Sequence, residues 1–250
     1  MSEFIRNFID GAHWLVTDDD AMKLPLGIAI LIAFAVAAFL KPIREKRRRQ
    51  AARRMAEKLG LNFQAGPDHD LPERLKFLRR FDIGEKRYAF NIIHGQYRGH
   101  PVRAFDYHVT TVTEGATGAT RGKTRTSHSM SVYLLEQPVA FPEVEITPKS
   151  LFHTIGQAFG METINFENEV FNKAFVVRAA DRRFAHDVCH PRMMEFLLQH
   201  PDIDLEIEEH CIAIRYDIPR RKVKEVPRHL DILVEIRELM PRHLYEESGQ

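Results

Sequence analysis

The sequence lacks the features that mark secreted proteins, nucleic-acid-binding proteins and enzymes with a contiguous motif. It has two cysteines, Cys189 and Cys211, which fit no disulfide framework, so we expect free thiols. Its 36 Lys and Arg are balanced by 35 Asp and Glu, and this charge balance does not indicate nucleic-acid binding. No serine lies in a G-x-S-x-G nucleophile elbow. The sequence therefore does not reveal a reaction.

What the chain does have is an apolar segment followed directly by a basic one. Leu24 to Leu40 has the sequence LPLGIAILIAFAVAAFL, and Lys41 to Arg54 has the sequence KPIREKRRRQAARR. Counted from residue 21, the helix rise of about 1.5 Å per residue gives a length of about 30 Å, the thickness of the hydrocarbon core of a bilayer. The pattern predicts a single transmembrane helix over residues 21–40.

The charges on either side of this segment predict its orientation. Two cations and five anions precede Leu24, whereas eight cations and one anion lie between Lys41 and Arg54. Because basic residues stay on the cytoplasmic side, we expect residues 1–20 outside a bacterial inner membrane and the C-terminal domain in the cytoplasm. A signal peptide cleaved near Ala35-Val36-Ala37 and a helix buried in a soluble protein are the alternatives, but the acidic leader and the unbroken apolar run disfavour them.

Residues 41–59 are predicted to form a basic juxtamembrane helix, ending before Gly60. Such a cluster attracts anionic lipid headgroups. The residues expected to contact headgroups are Arg44, Lys46, Arg47, Arg48, Arg49, Arg53 and Arg54.

After a linker at residues 60–70, marked by Gly66-Pro67, residues 71–250 are predicted to form a cytoplasmic α+β domain of mainly antiparallel strands with flanking helices. Alternating and β-branched segments predict a hairpin, then a loop at residues 111–127, a third strand, a proline-marked crossover and a second hairpin turning near Glu209 and His210. The predicted strands are residues 87–94, 101–111, 130–136, 174–179, 203–208 and 211–217. The predicted helices are residues 71–80, 148–159, 191–198 and 228–240.

Several residue groups resemble known sites without completing one. His186, Cys189 and His190 offer zinc ligands within a short stretch, but no second ligand pair accompanies them, so we predict no metal and no cofactor. Gly118 to Thr124 resembles a phosphate loop, but it has three residues between its glycines where that motif needs four. It is interpreted as a mobile hairpin loop. Glu167 and Glu169 are interpreted as solvated carboxylates.

The segment INFENEVFNKAFVVRAADRRFAHDVCHPRMMEFLLQH, with RAFDYHV and the lysine-containing Gly/Thr loop that follows it, resembles an uncharacterised bacterial domain-of-unknown-function family, often carried on membrane-anchored proteins. The resemblance covers residues 55–240 in outline. It implies a membrane-tethered α+β domain, and it assigns no catalytic residue.

The prediction for function is a domain that binds a protein partner at the membrane surface, with no nucleic acid involved. An enzyme is the less favoured alternative, a hydrolase or transferase whose cleft would combine Asp106, His108, Glu169 and His186. A third alternative is an oligomeric scaffold, which predicts a sizeable apolar surface patch.

Overall fold

The computed structural model describes residues 23–117, 120–152, 161–216 and 222–247. The chain divides into two compact units, residues 1–50 and 51–250. The predictions for residues 1–20 and the glycine at 118 lie outside the described residues. The helices are α1 (Lys23–Leu59), α2 (Asp70–Arg74), α3 (Lys149–Phe152), α4 (Glu169–Ala174), α5 (Arg182–Val188), α6 (Pro191–Leu198), α7 (Val226–Leu239) and α8 (His243–Glu247). The strands are β1 (Asn62–Gln64), β2 (Glu85–Tyr97), β3 (His100–Thr117), β4 (Thr120–Pro148), β5 (Glu162–Ile164), β6 (Phe175–Ala179) and β7 (Asp204–Tyr216).

Helix α1 begins in the apolar segment and ends where the sequence predicts. Gly60 has a φ of +68°, a conformation that favours glycine, and its amide donates to the carbonyl oxygen of Glu57 at 3.2 Å. Searched over the described residues, the structure has no helix that is both long and apolar enough to cross a membrane. Residues 21 and 22 of the predicted span lie outside the described part of the chain.

The strands form one antiparallel sheet in the order β1-β2-β3-β4-β6-β5, with β7 also paired to β4. This confirms the α+β class and the predicted first hairpin. Strand β4 is central because β7 pairs with both of its halves, at Ser131 to Glu136 and at Val144 to Ile146. Along β4, β3 pairs with the first half and β6 with the end of the second half.

Two predictions for segments between strands are wrong. The loop predicted at residues 111–127 is part of the β3–β4 ladder, which is paired out to Thr117 and Thr120. The proline-marked crossover is a continuation of β4, with register shifts between Glu136 and Val144 that accommodate the prolines. Within the predicted linker at residues 60–70, β1 pairs with β2.

The second predicted hairpin is a single, sharply bent strand. Both halves of β7 pair with β4, yet the side chains of Glu206 and Arg215 are in contact. A straight strand, at about 3.3 Å per residue, would hold these two residues about 30 Å apart. Glu209, with a φ of +47°, lies between them, so the strand bends at the position where a turn was predicted.

Helix α6 has the predicted bounds, and α7 starts two residues earlier than predicted. The predicted helix at 71–80 is shorter, forming α2 and a 3₁₀ turn at Arg79–Phe81. Of the helix predicted at 148–159, α3 accounts for four residues, and residues 153–160 lie outside the described chain. Helix α4, which the sequence did not predict, precedes β6.

Two apolar clusters lie on opposite faces of the sheet, since side chains alternate along a strand. The larger cluster includes Val102 and Ala104 of β3 and contains residues of α5, α6 and α7. The smaller cluster includes Phe105 and Tyr107 of the same strand and residues 71–81. We call these the major face and the minor face.

Candidate functional site

On the major face, the apolar cluster gives way to polar and aromatic side chains. Helix α7 covers Tyr133 and Tyr216 through His229, whose ring lies 4.9 and 4.4 Å from theirs. Further along β3, the same alternation places Asp106 and His108 on the major face, opposite Ser131 and Ser129. We call Tyr88, Phe90, Asn91, Asp106, His108 and Ser129 the strand-face site.

Aromatic rings form the partly exposed portion of this site. Tyr88 pairs with His108 across β2 and β3, and their rings stack with centroids 4.8 Å apart. Tyr88 also contacts Phe90 at 5.7 Å and His69 at 5.4 Å. All but His69 are half-buried. Rings of this kind, partly exposed beside polar groups, are the side chains that protein interfaces favour.

A buried polar pair lies beneath the rings. The Asn91 amide donates to Asp106 Oδ2 at 2.9 Å, and the two residues are 6% and 3% exposed. Asn91 occupies a bulge of β2 with a φ of +53°, and its Oδ1 is buried without a hydrogen-bond partner. Such an atom raises the free energy of the site until a donor reaches it.

His108 and Ser129 approach each other, with His108 Nδ1 3.2 Å from Ser129 Oγ. A base and a hydroxyl at this distance are two parts of a nucleophilic centre. They are also direct cross-strand neighbours, and a hydrogen bond between such neighbours needs no catalytic role.

The structure does not bring together the four residues of the predicted cleft. Asp106 and His108 share β3, opposite β4 residues 129–131. Glu169 lies in α4, is exposed and forms an ion pair with Lys173 at 3.8 Å. His186 lies in α5, exposed, with its ring 5.0 Å from Phe166. The strand between α4 and α5, β6, pairs with β4 only at Val144 to Pro148, well beyond the part of β4 opposite Asp106.

The weak metal candidates have other environments. The Cys189 thiol is 1% exposed, and burial raises its pKa. His190 caps α6, accepting from the Met193 amide at 3.4 Å, and its Nε2 lies 2.8 Å from the Leu239 carbonyl oxygen. In the described part of the chain, His186, Cys189 and His190 do not belong to any group of three metal-ligand atoms that lie within 4.8 Å of one another.

A groove of about 590 Å³ adjoins the strand-face site. His69 connects the two, since it lines the groove and its ring contacts Tyr88. The volume lies in the range of about 300–1,000 Å³ found for ligand sites, but the lining is polar. The groove is lined by Gln64, Pro67, Asp68, His69, Asp70 and Arg74.

Sequence reasoning missed a cluster of charged residues on the minor face. Arg215 is 1% exposed, its Nε donates to Asp204 Oδ2 at 3.1 Å, and its Nη1 donates to Glu206 Oε2. The Glu206 carboxylate also accepts from the Arg79 amide at 2.7 Å, and Glu145 lies 3.8 Å from Arg178. We call Glu143, Glu145, Asp204, Glu206, Glu208 and Arg215 the ionic cluster.

The ionic cluster shifts the pKa values of its members. Burial and the neighbouring Glu206 carboxylate raise the pKa of Glu145 to about 6, with Arg215 opposing the rise. Burial, then the carboxylates of Glu143 and Glu206, raise the pKa of Glu208 to about 8. Burial itself opposes the charged form of Arg215, but the carboxylates of Asp204 and Glu206 raise its pKa overall.

Carboxylate oxygens of Glu143, Glu145 and Glu206 lie within 4.8 Å of one another, close enough to be three ligands of one hard cation. Arg215 already brings a positive charge against Glu206. The cluster is therefore a buried ion network that joins the two halves of β7, and its position fits a structural role at the bend.

No family model matches the chain, and no curated protein matches it. Among solved structures, the chain is similar to the crystal structure of the mycobacterial trehalose monomycolate transport factor A, TtfA. The TM-score is 0.56 at 16% identity, covering 79% of this chain and 96% of that one. At this identity the likeness shows a shared fold.

Proposed function

We propose that this chain is a single-pass protein of the bacterial inner membrane, with its N-terminus outside, whose cytoplasmic α+β domain binds a protein partner at the membrane surface. The observation that carries the proposal is the exposure of α1. Six consecutive residues, Leu31 to Val36, are all exposed. At about 100° per residue they cover the whole circumference of the helix, and an apolar helix exposed all round needs an apolar environment.

The basic residues after this segment support the same arrangement. All of the predicted headgroup contacts are exposed except Arg48, which is half-buried. Cations on this side favour cytoplasmic placement of the domain that comes after them, and exposed cations remain available to anionic headgroups. The fold likeness to TtfA leads us to propose further that the chain is an accessory protein of a transport process at the membrane.

The strand-face site and its groove support partner binding. Tyr88 and Phe90 supply half-buried rings, and the Asn91 Oδ1 is an acceptor without a donor. An extended segment of a partner lying along the polar groove would meet these rings at His69. Aromatic anchors surrounded by polar groups are the usual centre of a protein interface.

Membrane association is tested by fractionation. The full chain is expected to float with membranes after carbonate extraction, and a reporter fused after Gln250 is expected to be active in the cytoplasm. A chain that remains in the supernatant without detergent, or a reporter active only in the periplasm, contradicts the proposal.

Partner binding is tested with a photo-crosslinking phenylalanine analogue in the full-length protein in its native membrane. Placed at Phe90, it is expected to give one discrete adduct, and Tyr88→Ala is expected to reduce that adduct about tenfold or more. Val170, 64% exposed on α4, is the matched control position and is expected to give no such adduct. Equal adducts from both positions contradict a specific site.

The alternatives have less support. His108 and Ser129 favour a hydrolase, and a serine-reactive phosphonate that labels Ser129 but not a His108→Ala variant would establish it. A scaffold requires an apolar patch. In the described part of residues 51–250, the exposed large apolar side chains are Ile83 and Val170, which lie on separate segments.

A further inference from the structure

Asn91 is brought to the strand-face site by an irregularity of β2. The register of β2 on β3 shifts between Phe90, which is opposite Asp106, and Ile93, which is opposite Ala104. Asn91 lies within this bulge and has a φ of +53°. A bulge re-aims a side chain, and here the Asn91 side chain reaches Asp106. The bulge therefore places a buried amide beneath the rings of the site.

The acceptor half of this amide is the part that remains without a partner. The Asn91 Nδ2 donates to Asp106 Oδ2 at 2.9 Å, and this bond fixes the orientation of the amide. The Asn91 Oδ1 is buried and has no hydrogen-bond donor among the described residues, and the whole residue is 6% exposed. Buried acceptors of this kind are uncommon in folded proteins. A ligand that brings an N–H group to this atom gains a hydrogen bond that the free protein lacks.

The groups around this acceptor favour a donor that carries positive charge. The rings of Tyr88 and Phe90 are half-buried, with centroids 5.7 Å apart, and the face of an aromatic ring attracts a cation within about 6 Å. In the adjoining groove, Asp68 is paired with Arg74 at 3.6 Å, and the exposed Asp70 adds a second carboxylate. The lining of the groove therefore has more negative than positive charge.

We propose that the partner's segment is anchored by an arginine side chain, whose guanidinium packs against Tyr88 and Phe90 and donates a hydrogen bond to Asn91 Oδ1. Arginine fits better than lysine because its planar guanidinium stacks on aromatic rings and presents several N–H groups. Its apolar stem packs along ring surfaces, and arginine is enriched among the residues that dominate interfaces. The inference rests on the proposed function, because it names the anchor of the partner proposed there.

Binding requires the two rings to move, because Asn91 Oδ1 is enclosed in the free protein. Changes of side-chain rotamer are common when interfaces form, even where the backbone moves little. Tyr88 and Phe90 are only half-buried, so their rings have room to rotate on the solvent side. The rings cover the acceptor in the free protein and pack against the guanidinium in the complex.

The first test measures the affinity of a minimal probe for the full chain in phosphatidylcholine nanodiscs, which contain no anionic lipid to compete for it. The probe is N-acetyl-arginine N-methylamide. The corresponding citrulline derivative, which has the same shape without the charge, and the lysine derivative are compared by saturation-transfer NMR. We expect a Kd in the millimolar range for the arginine probe, with the citrulline probe about tenfold or more weaker. No saturable binding of the arginine probe, or equal affinity for either comparison probe, overturns the inference.

Variants locate the binding of the arginine probe. Asn91→Gly removes the acceptor but accepts the positive φ, and it should weaken binding about tenfold, the loss expected for a hydrogen bond to a charged group. Tyr88→Leu removes one ring and should weaken binding about threefold, so the site remains testable if Asn91→Gly does not fold. Asn62→Gly, at an exposed asparagine of β1, is the matched control and should have no effect. Unchanged affinity in Tyr88→Leu and in folded Asn91→Gly overturns the inference.

The photo-crosslink at Phe90 separates failure of this inference from failure of the proposed function. Mass spectrometry of the digested adduct is expected to place the crosslink within a few residues of an arginine in the partner's segment. A discrete adduct whose crosslinked segment contains no arginine overturns the inference and leaves partner binding standing. The absence of a discrete adduct refutes partner binding and the inference with it.

Discussion

Replacing Arg215 by methionine should strongly destabilise the domain. The guanidinium is fully enclosed and contacts Asp204 and Glu206, which are 2% and 0% exposed. Methionine fills much of the same volume but leaves two buried carboxylates without their cation. Breaking a buried ion pair from one side costs about 3–5 kcal/mol, a large part of the ~5–15 kcal/mol that stabilises a typical domain.

The expected loss can be measured by urea unfolding of the full chain in detergent. The buried thiols of Cys189 and Cys211 report unfolding when they become reactive. For a domain of this size, each kcal/mol corresponds to about 2–4 °C in Tm, so Arg215→Met should melt about 6–20 °C lower. Arg98→Met is the matched control. Arg98 forms an ion pair with Asp231 at 3.0 Å, but the two side chains are 60% and 40% exposed, and an exposed pair contributes about 0.2–1 kcal/mol.

A pH series separates this mechanism from lost packing. The charge of Arg215 opposes the rise in the pKa of Glu145, so without Arg215 the folded-state pKa of that buried carboxyl should rise further above its unfolded value. A carboxyl group with a raised folded pKa favours folding when protonated, and that contribution is lost as pH increases through the folded pKa. The stability difference between the variant and the wild type should therefore shrink in acid. A variant no less stable than Arg98→Met, or a difference that does not change with pH, would refute the ion-network explanation.

Three further outcomes are expected. Because the raised pKa of Glu208, about 8, lies above its unfolded value of 4.5, stability should fall as pH increases from about 4.5 to 8, and Glu208→Gln should weaken that decrease in urea unfolding. Asn91→Ala should lower the free energy of unfolding by about 1–3 kcal/mol, because it removes the buried hydrogen-bond partner of Asp106 and puts alanine at a φ of +53°, which asparagine tolerates better. Asn91→Gly removes the same partner but accepts this φ, so comparing the two variants in the same assay separates the two causes. Cys189 and Cys211 should resist a thiol reagent in the folded chain and both react in urea, because burial raises their pKa values; fast labelling of either in the native state would show that its surroundings open.

Sequence patterns correctly predicted the helices whose start or end is determined by residues of the same short segment. Pro191 and the apolar spacing after it predict α6 within its bounds, and Gly60 predicts the end of α1. The alternation in residues 203–217 correctly indicates extended chain. It does not show whether the chain reverses at Glu209 or only bends, since both require a positive φ or a turn residue at the same position. Pairing of both halves with β4 decides this, and that pairing is not local.

The ionic cluster shows the same limit in its chemistry. In the sequence LEIEEHCIAIRYD, alternate polar positions predict a strand with a solvent-exposed face. The alternation is real, but the polar face of β7 is covered, and Glu206 is 0% exposed. The sequence feature that points to the cluster is the pair of acidic residues Asp204 and Glu206 near the start of the segment together with Arg215 near its end. Recognising it requires knowing that the strand bends back on itself.

The two faces of the sheet differ in how their buried polar groups are arranged. On the minor face, Glu145 is buried against Arg178 and Glu206 against Arg215, and the second of these pairs joins the two halves of β7. On the major face, Asp106 is held by Asn91, and the polar pair lies under rings that remain partly exposed. Buried polar atoms without a hydrogen-bond partner occur on both faces, at Asn91 Oδ1 on the major face and at Glu208 Oε2 and the Tyr107 hydroxyl on the minor face. The Asn91 atom lies next to the partly exposed rings of Tyr88 and Phe90. The combination of an unpartnered acceptor and accessible rings is why we propose partner binding on the major face.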